Sequence, residues 1–517
     1  MKAVKRDSSG VSGLLSRTDA RRLRAIQALT PQTKSDLGQF MTPAPTAKFM
    51  ASLFPTPSLS EVTLLDPGAG VGSLIAAFTA RACQRPPKRR RVSIVAYEID
   101  PGLCVMLRKT LADCRRSAAQ CGVAVKWEVR IADFVTDGVR LIGGNLFDAS
   151  ESFTHVIMNP PYRKVANESV HRLAFRRAGI EATNLYSGFV ALAVKLLKPG
   201  GELVAITPRS FCNGPYFQPF RTLFLSKCNL RRVHLFQARD AAFRDDNVLQ
   251  ENIIYAASRA PQRDAVQLSS SAGPIFDRVA LREVPFGEVV RPGDPNCMIH
   301  LPATSEDDDA VRGLGCLSHA IQDLGIEVST GPVVDFRLRE HLRATPSPTT
   351  APLLYSAHFR AGQLNWPRRD GRKPNAIEIG PETKKWLMPL GFYTVTRRFS
   401  SKEEKRRIVA SVLDPRELGG ELVGFENHLN VFHQGGRGLD PLLARGLQGF
   451  LNSTVVDRMF RVFNGHTQVN ASDLRSIRYP SLQALKALGA RLAGLRPSQA
   501  ELDDLVSSVL LKGQTAA

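Results

Sequence analysis

The 517-residue chain lacks the features of a disulfide-stabilised, zinc-binding or membrane protein. Its eight cysteines include no Cys-x-x-Cys pair, so neither a zinc site nor a disulfide framework is predicted, and the thiols are expected to be reduced. No apolar stretch approaches the roughly 18 residues needed to span a membrane, and the N-terminus has no signal-peptide apolar core. We therefore expect a cytoplasmic protein with no metal site and no membrane contact.

Acidic residues are also scarce relative to basic ones. The chain holds 69 lysines and arginines against 48 aspartates and glutamates, a net charge of +21. Residues 1–290 account for most of this excess, with 40 basic against 24 acidic residues, that is +16. Such a surplus predicts a polyanionic partner.

The most informative motif of the chain is the loop Asn159-Pro160-Pro161-Tyr162. It follows the apolar run 156–158, a predicted buried strand, which must end where the prolines cannot donate to a sheet ladder. Open α/β sheets bind ligands at such strand ends. Asn159 and the Pro160 carbonyl can accept hydrogen bonds from an amino group, and the Tyr162 ring can stack. The loop predicts a site for a planar exocyclic amine, although the same residues could form an ordinary rigid turn.

A glycine-rich loop, Asp66-Pro67-Gly68-Ala69-Gly70-Val71-Gly72, lies between an apolar strand and a helix. Its glycines let the backbone turn sharply and come close to a ligand. The dinucleotide fingerprint places its last glycine one residue later, so NAD fits poorly. Asp66 suits a ligand that carries a positively charged amino-acid part. S-adenosylmethionine has that property.

The ends of two further predicted strands carry acidic side chains. Strand 92–97 ends at Glu98, which can accept hydrogen bonds from both hydroxyls of a ribose. Strand 125–131 is followed by Asp133 and Phe134, which offer an adenine ring an acceptor for its amino group and a flat surface.

Strands and helices alternate over residues 60–260, which predicts a doubly wound α/β sheet. The rest of the chain does not show this alternation of strands and helices. The predicted segments are a basic N-terminal arm or helix (1–35), the α/β domain (36–260), a Ser/Pro/Gly-rich linker (261–300), a mixed domain with irregular loops (301–480) and an amphipathic C-terminal helix (481–517).

Together with Gly38–Pro43, these motifs resemble those of the γ-class (TaqI-like) DNA adenine-N6 methyltransferases of restriction–modification systems. The cofactor motifs come first, then Asn-Pro-Pro-Tyr, then a long C-terminal region. The resemblance covers essentially the whole chain, strongly through residue 260 and loosely after 290. It implies a Rossmann-like methyltransferase domain over 36–260 and a target recognition domain over 301–480. It also implies double-stranded DNA as substrate and a separate cognate restriction endonuclease as partner.

The resemblance also implies roles for individual residues. Those expected around S-adenosylmethionine are Phe40, Thr42, Pro43, Asp66, Gly68, Gly70, Glu98, Asp133, Phe134 and Asn159. Those expected to hold a flipped-out adenine are Asn159, Pro160, Pro161, Tyr162 and, by position alone, Phe243. Hydrogen bonds to the adenine amine would raise its nucleophilicity, so catalysis would rest on positioning and electrostatics and would require no metal.

The Asn-Pro-Pro-Tyr motif leaves alternatives open. It also occurs in methyltransferases that act on guanine in ribosomal RNA and on glutamine side chains of release factors, although these generally lack so large a C-terminal region. A non-catalytic DNA specificity subunit would not need both motifs intact. A fused nuclease would use the triplet Glu382-Thr383-Lys384 with Asp370, but no additional domain is available to house it.

Overall fold

The computed structural model describes residues 9–28, 40–55, 60–84, 90–143, 151–236, 251–274, 276, 279, 281–315, 317–360, 362–369, 372–400, 403–465 and 467–512. The chain divides into two compact units, Met1–Ala303 and Thr304–Ala517. Over these described ranges, no helix is both long and apolar enough to cross a membrane. The same ranges contain no group of three or more His, Cys, Asp or Glu side chains placed to hold a metal ion.

The first unit is built on one large sheet. Its strands are β1 (Glu61–Pro67), β2 (Arg91–Tyr97), β3 (Ala124–Arg130), β4 (Phe153–Met158), β5 (Leu197–Pro208), β6 (Asn229–Phe236), β7 (Asn252–Ser258), β8 (Ala265–Ser271) and β9 (Leu281–Pro285). Their order is β3-β2-β1-β4-β5-β7-β6-β8-β9. Strands β1 to β5 pair in parallel, whereas β7 is antiparallel to both β5 and β6. The predicted doubly wound, Rossmann-like sheet is confirmed.

Helices cover both faces of this sheet. They are α1 (Ser9–Ala28), α2 (Ala44–Ser52), α3 (Ser73–Ala82), α4 (Pro101–Gln120), α5 (Phe134–Gly143), α6 (Val170–Arg177), α7 (Leu185–Leu196), α8 (Gln218–Lys227) and α9 (Phe286–Val289). Alternate residues of β4 enter different cores, with Val156 and Met158 in one and Ile157 in the other. Helix α7 is buried on nearly every side, which explains why it is apolar all round.

The predicted linker over 261–300 is wrong, because strands β8 and β9 and helix α9 lie within it and extend the sheet. The serines that suggested a flexible segment belong to β8. Ser269 and Ser271 are buried, and their hydroxyls lie 3.0 Å from the two ring nitrogens of the buried His234. The strand is polar in composition because it pairs with a buried polar side chain, not because it is solvated.

The second unit combines short strands with helices. Its strands are β10 (Glu327–Thr330), β11 (Leu342–Arg343), β12 (Thr350–Leu354), β13 (Phe359–Arg360), β14 (Gln363–Leu364), β15 (Ala376–Glu378), β16 (Leu387–Pro389), β17 (Tyr393–Arg397), β18 (Ala410–Leu413), β19 (Leu422–Phe425) and β20 (Leu429–His433). They form a four-stranded sheet in the order β10-β20-β17-β18, a five-stranded sheet in the order β11-β15-β12-β19-β16, and the pair β13-β14.

The helices of the second unit follow mainly at its C-terminal end. They are α10 (Ser305–Gly315), α11 (Pro441–Leu451), α12 (Thr454–Phe463), α13 (Ala471–Ser476), α14 (Leu482–Leu492) and α15 (Gln499–Lys512). The single C-terminal helix predicted over 481–517 is therefore two helices, because Gly494 has a φ of +77° and Pro497 follows it. Helix α14 packs closely on α11 through glycine, since a Cβ on Gly489 would lie 1.8 Å from the Leu442 carbonyl oxygen.

Candidate active site

Asn159 lies directly after β4, at the carboxyl end of the parallel sheet, and its amide is held in one orientation. Its Nδ2 donates to the Phe40 carbonyl oxygen at 2.6 Å and to Thr42 Oγ1 at 3.1 Å. Because a carbonyl oxygen can only accept, Nδ2 must face Phe40. Asn159 Oδ1 is buried and has no hydrogen-bond partner among the described residues. The site therefore presents a fixed hydrogen-bond acceptor.

Tyr162 completes the same loop and is fixed by aromatic neighbours. Its ring centroid lies 5.4 Å from that of Phe40 and 6.1 Å from that of Tyr186. Its hydroxyl donates to the Ile206 carbonyl oxygen at 3.2 Å. Burial raises the pKa of Tyr162 well above its ordinary value of 10.0, so the side chain remains a neutral phenol at physiological pH. It supplies a ring face and no titrating group.

The glycine-rich loop leaves space where a ligand would approach. Gly68 and Gly70 have φ values of +90° and +54°, and a Cβ built on either would meet nothing within 4 Å. Gly72, with φ +88°, differs, because its Cβ would lie 3.0 Å from both Leu107 and Thr110 of helix α4. The first two glycines therefore face open space, and the third permits close packing of the loop on α4.

Glu98, at the end of β2, anchors the glycine loop. Its Oε2 accepts from the Gly70 backbone N–H at 2.9 Å, and its Oε1 accepts from the N–H groups of Ile99 and Asp100 at 2.8 and 2.9 Å. The residue is buried, yet each carboxylate oxygen has more than one lone pair. Glu98 can therefore hold the loop in place and still accept a hydrogen bond from a ligand hydroxyl.

Asp66 is a fully buried carboxyl group at the end of β1. Over the described ranges, neither of its oxygens has a hydrogen-bond partner. Burial, with a contribution from the nearby charge of Glu98, raises the pKa of Asp66 well above its ordinary value of 3.8. An uncompensated buried carboxylate is costly. This position therefore favours the arrival of a positive charge or of hydrogen-bond donors.

Asp133 lies at the start of helix α5, and its carboxylate is already held by protein donors. It accepts from Thr136 Oγ1 at 2.6 Å and from the Thr136 N–H at 3.0 Å, and His171 Nε2 lies 3.3 Å from it. Burial alone would raise the pKa of Asp133, but the hydrogen bonds from His171 and Thr136 outweigh it and lower the pKa to about 2. Asp133 is ionised and fixed at the wall of the cleft beside Phe134.

These residues line two neighbouring cavities that share Gly68, Glu98 and Pro161, each with an empty volume of about 500 Å³ or slightly more. The first is lined further by Tyr97, Ile99, Ala132, Asp133, Phe134, Arg163, His171, Leu185 and Phe189. The second is lined further by Phe40, Met41, Thr42, Ala69, Gly70, Val71, Ser73, Leu74, Leu103 and Asn159. The cleft thus runs from Asp133 and Phe134 past the glycine loop to the amide of Asn159.

Most of the predicted site residues therefore meet in one cleft. Asp66, Pro43, Pro160 and Tyr162 are not among its lining residues, and Pro43 instead occupies the N-cap position of helix α2. Phe243 lies outside the described residues. Sequence reasoning missed His171 and Phe189, which approach the cleft from helices α6 and α7. The signal for His171 was weak, because a single histidine among arginines suggests only a polar loop.

Comparison with known proteins shows the family to which the chain belongs. A family model described as Eco57I restriction-modification methylase matches residues 118–243. The chain is 43% identical over 485 residues to the Type II methyltransferase M.BsuBI of Bacillus subtilis. This alignment covers 93% of this chain and 95% of that protein. It is 41% identical over 495 residues to the Type II methyltransferase M.PstI of Providencia stuartii, spanning 95% of this chain and 96% of that protein.

One solved structure supports the fold. The Type IIL restriction-modification enzyme MmeI, in complex with DNA, matches 98% of this chain and 74% of that chain with a TM-score of 0.50 and 11% identity. The sheet topology and the cleft define a methyltransferase of the Rossmann-like class. Given the extent of the sequence identity, the chain belongs to the Type II DNA methyltransferases of restriction–modification systems. The predicted restriction–modification methyltransferase is thereby confirmed, and its γ-class subdivision stays a prediction.

Proposed function

We propose that the protein transfers a methyl group from S-adenosylmethionine to N6 of an adenine flipped out of duplex DNA, as the modification enzyme of a restriction–modification system. The observation that carries this proposal is the amide of Asn159. Its Nδ2 donates to Phe40 and Thr42, and its buried Oδ1 has no partner within the part of the chain that the structure describes. A fixed, buried acceptor favours a target that donates, such as an amino group.

The residues of the cleft and its surroundings also suit the cofactor. Gly68 and Gly70 leave open space in front of the loop. Asp66, although not a lining residue, offers a buried carboxyl group with no hydrogen-bond partner among the described residues, which suits the positively charged amino-acid part. Glu98 lines both cavities and can accept hydrogen bonds from a ribose. Phe134 and Phe189 supply apolar ring surface for the adenine part. When bound, S-adenosylmethionine supplies the methyl group and a sulfonium leaving group.

The chemical role of Asn159 follows from the changing charge of the target amine. The lone pair of an adenine amino group is delocalised into the ring, which makes the nitrogen a poor nucleophile. As N6 bonds to the methyl carbon, positive charge develops on that nitrogen and its N–H groups become stronger donors. Hydrogen bonds to Asn159 Oδ1 and the Pro160 carbonyl then strengthen most in the transition state, which is the condition for catalysis.

The target amine must leave the duplex to reach this acceptor. Flipping a base costs a few kcal/mol in unpairing and unstacking. Stacking on an aromatic ring returns roughly 1–3 kcal/mol, and Tyr162, held by Phe40 and Ile206, is the ring proposed for this role. Phe243 remains a prediction for the second ring.

The experiment is a competition for label. Purified protein is incubated with methyl-labelled S-adenosylmethionine and a mixture of duplex DNA, ribosomal RNA and release factor, and the products are digested and identified by mass spectrometry. We expect the label in N6-methyladenine from DNA. Label in RNA guanine or in a protein glutamine would support the alternative targets and contradict the proposal. Label in DNA cytosine would contradict the choice of base. Asn159→Ala, which removes the acceptor oxygen, serves as the inactive control.

A further inference from the structure

Three loops meet at one end of the four-stranded sheet in the second unit. Strand β10 ends at Thr330, β17 ends at Arg397, and β20 begins at Leu429. The loops next to these residues therefore lie at the same end of the sheet. Backbone hydrogen bonds join them, from Asn427 N to the Val333 carbonyl oxygen at 2.9 Å and from Arg398 N to the His428 carbonyl oxygen at 2.9 Å. We call residues 331–337, 398–399 and 426–428 the sheet-end surface.

The sheet-end surface exposes two phenylalanines. Phe336 is 60% exposed and Phe399 is 46% exposed, and they are the only exposed phenylalanines over the described ranges. The ring of Phe399 lies 4.9 Å from the ring of His428, centroid to centroid. Phe399 and His428 thus form an exposed aromatic pair, and contiguous exposed apolar surface marks interaction sites.

Two arginines belong to the sheet-end surface. The exposed Arg337 places its guanidinium 5.5 Å from the ring centroid of Phe336. Arg398 donates to the Asn427 carbonyl oxygen at 3.2 Å, which fixes the arginine within the surface. The acidic Asp335 is offset by Lys373, whose Nζ lies 2.7 Å away. Arginines interleaved with aromatic rings form a surface that suits the phosphates and sugars of nucleic acid.

His428 is held by a buried carboxylate. Glu426 is fully buried, and it accepts from His428 Nδ1 and from the His428 backbone N–H. The His428 side chain is 44% exposed, so Glu426 orients a ring that stays partly accessible to a binding partner. A buried carboxylate is a poor source of stability because its desolvation offsets the attraction. Its use here to orient one exposed imidazole therefore indicates a binding role.

We infer that the sheet-end surface docks duplex DNA, with His428 contacting a base edge and Arg337 contacting a phosphate. The inference deepens the proposed function, since it places part of the sequence readout on named residues. Glu426 acts as a positioning residue for His428. Phe399 provides apolar contact to a deoxyribose or a thymine methyl group beside the base that His428 reads.

The test begins with DNA that the full-length wild-type protein selects from a randomised duplex library, a step that does not depend on methylation. Binding of the selected duplex and of a shuffled duplex is then measured for each variant. We expect His428→Ala and Phe399→Ala to weaken binding of the selected duplex by about tenfold or more, with little change on the shuffled duplex. A repeated selection should show relaxed preference at one base pair. Glu426→Gln should relax the same position.

Arg337→Gln tests the phosphate contact by a different measurement. It should weaken binding of both duplexes equally and reduce the salt dependence of log K by about 1. Leu495→Ala, at a residue 59% exposed elsewhere in the second unit, is the matched control and should bind like the wild type. The His428, Phe399, Arg337 and Leu495 variants should keep the wild-type melting temperature and cofactor affinity, because these side chains are exposed or partly exposed.

Two outcomes separate this inference from the proposed function. If the wild type methylates adenine in DNA while His428→Ala, Phe399→Ala and Arg337→Gln all bind DNA like the wild type, the inferred docking of DNA on the sheet-end surface is wrong. The proposed enzyme activity is then still supported. If the variants lose binding as expected but the wild type forms no N6-methyladenine, the surface stands and the proposed reaction is wrong.

Discussion

Replacing Asp66 by asparagine should stabilise the protein in the absence of ligand and weaken its binding of cofactor. The carboxyl group is fully buried and neither oxygen has a partner. Burial and then the charge of Glu98 raise its pKa well above 3.8. Between the unfolded and the folded pKa, the folded protein therefore keeps the Asp66 proton and the unfolded protein releases it. The free energy of unfolding falls as the pH rises through this range.

The size of the effect follows from the pKa difference. An acid whose pKa is raised by folding contributes its full stability below pH 4 and loses it as pH rises toward the folded pKa, at about 1.4 kcal/mol per pH unit. For a domain of this size, 1 kcal/mol corresponds to roughly 2–4 °C in Tm. The Asp66→Asn protein does not titrate at this position. Its Tm should therefore exceed that of the wild type by a margin that grows by roughly 3–6 °C per pH unit from pH 4 up to the raised pKa and is constant above it.

The assay is a melting curve at several pH values with and without S-adenosylhomocysteine, which keeps the ammonium group. Loss of a hydrogen bond to a charged group costs about 1.5–3 kcal/mol, so the variant should bind this ligand roughly 10- to 100-fold more weakly and gain less in Tm on binding. Tm profiles that run parallel from pH 4 to 9, or equal ligand affinity, would refute the reasoning.

Asp113→Asn is the matched control for the stability effect. Asp113 is also buried in the first unit, but Arg21 Nη2 lies 2.5 Å from its Oδ2. Burial alone would raise the pKa of Asp113, but the hydrogen bonds from Arg21 and Arg116 outweigh it and lower the pKa below 3.8. That stability is present above pH 4 and is lost as pH falls. The same substitution should therefore lower the Tm here at neutral pH.

Three further predictions concern other parts of the cleft. Asn159→Ala should lower kcat by about 10²–10³-fold, as the loss of one oriented transition-state contact does, while DNA and cofactor affinities stay near normal; unchanged single-turnover rates would show that the loop is only structural. Gly68→Ala and Gly72→Ala both strain a backbone of positive φ, but Gly72→Ala should lower the Tm more, because only its Cβ would crowd helix α4, and Gly68→Ala should weaken cofactor binding more; the reverse pattern would contradict their assignment. His171→Gln should weaken cofactor binding in calorimetry, because Asp133 loses its contact with His171 Nε2; unchanged affinity would show that His171 does not contribute to cofactor binding.

Strand ends were predictable because a buried parallel strand leaves a simple signature. Apolar runs that stop at Asp66, Glu98 and Asn159 place these residues at one edge of the sheet by topology alone. The predicted linker failed for the opposite reason. Ser269 and Ser271 look solvated in the sequence, and only the tertiary placement of His234 shows that they are paired and buried. Polar pairing across strands leaves no periodic pattern for a single sequence to reveal.

For the second unit, the sequence predicted only a mixed domain and not its individual strands. Many of its strands have two to five residues, for example Leu342–Arg343 and Glu327–Thr330, so no alternation is long enough to recognise. The pairing of Glu426 with His428 spans only two positions, yet its meaning depends on the burial of one side chain and the exposure of the other. That contrast is a property of the packed sheet and not of the local sequence.

The orientation of Asn159 shows the same limit at the centre of the active site. The motif predicts an amide at a strand end, but an amide can present either a donor or an acceptor to its target. The choice is made by the Phe40 carbonyl oxygen, which is 119 residues away in the chain and accepts from Nδ2. Because Oδ1 is thereby left as a buried acceptor, the backbone before helix α2 would support the proposed reaction by orienting Asn159. A change that moves the Phe40 backbone should therefore reduce turnover even with Asn159 intact.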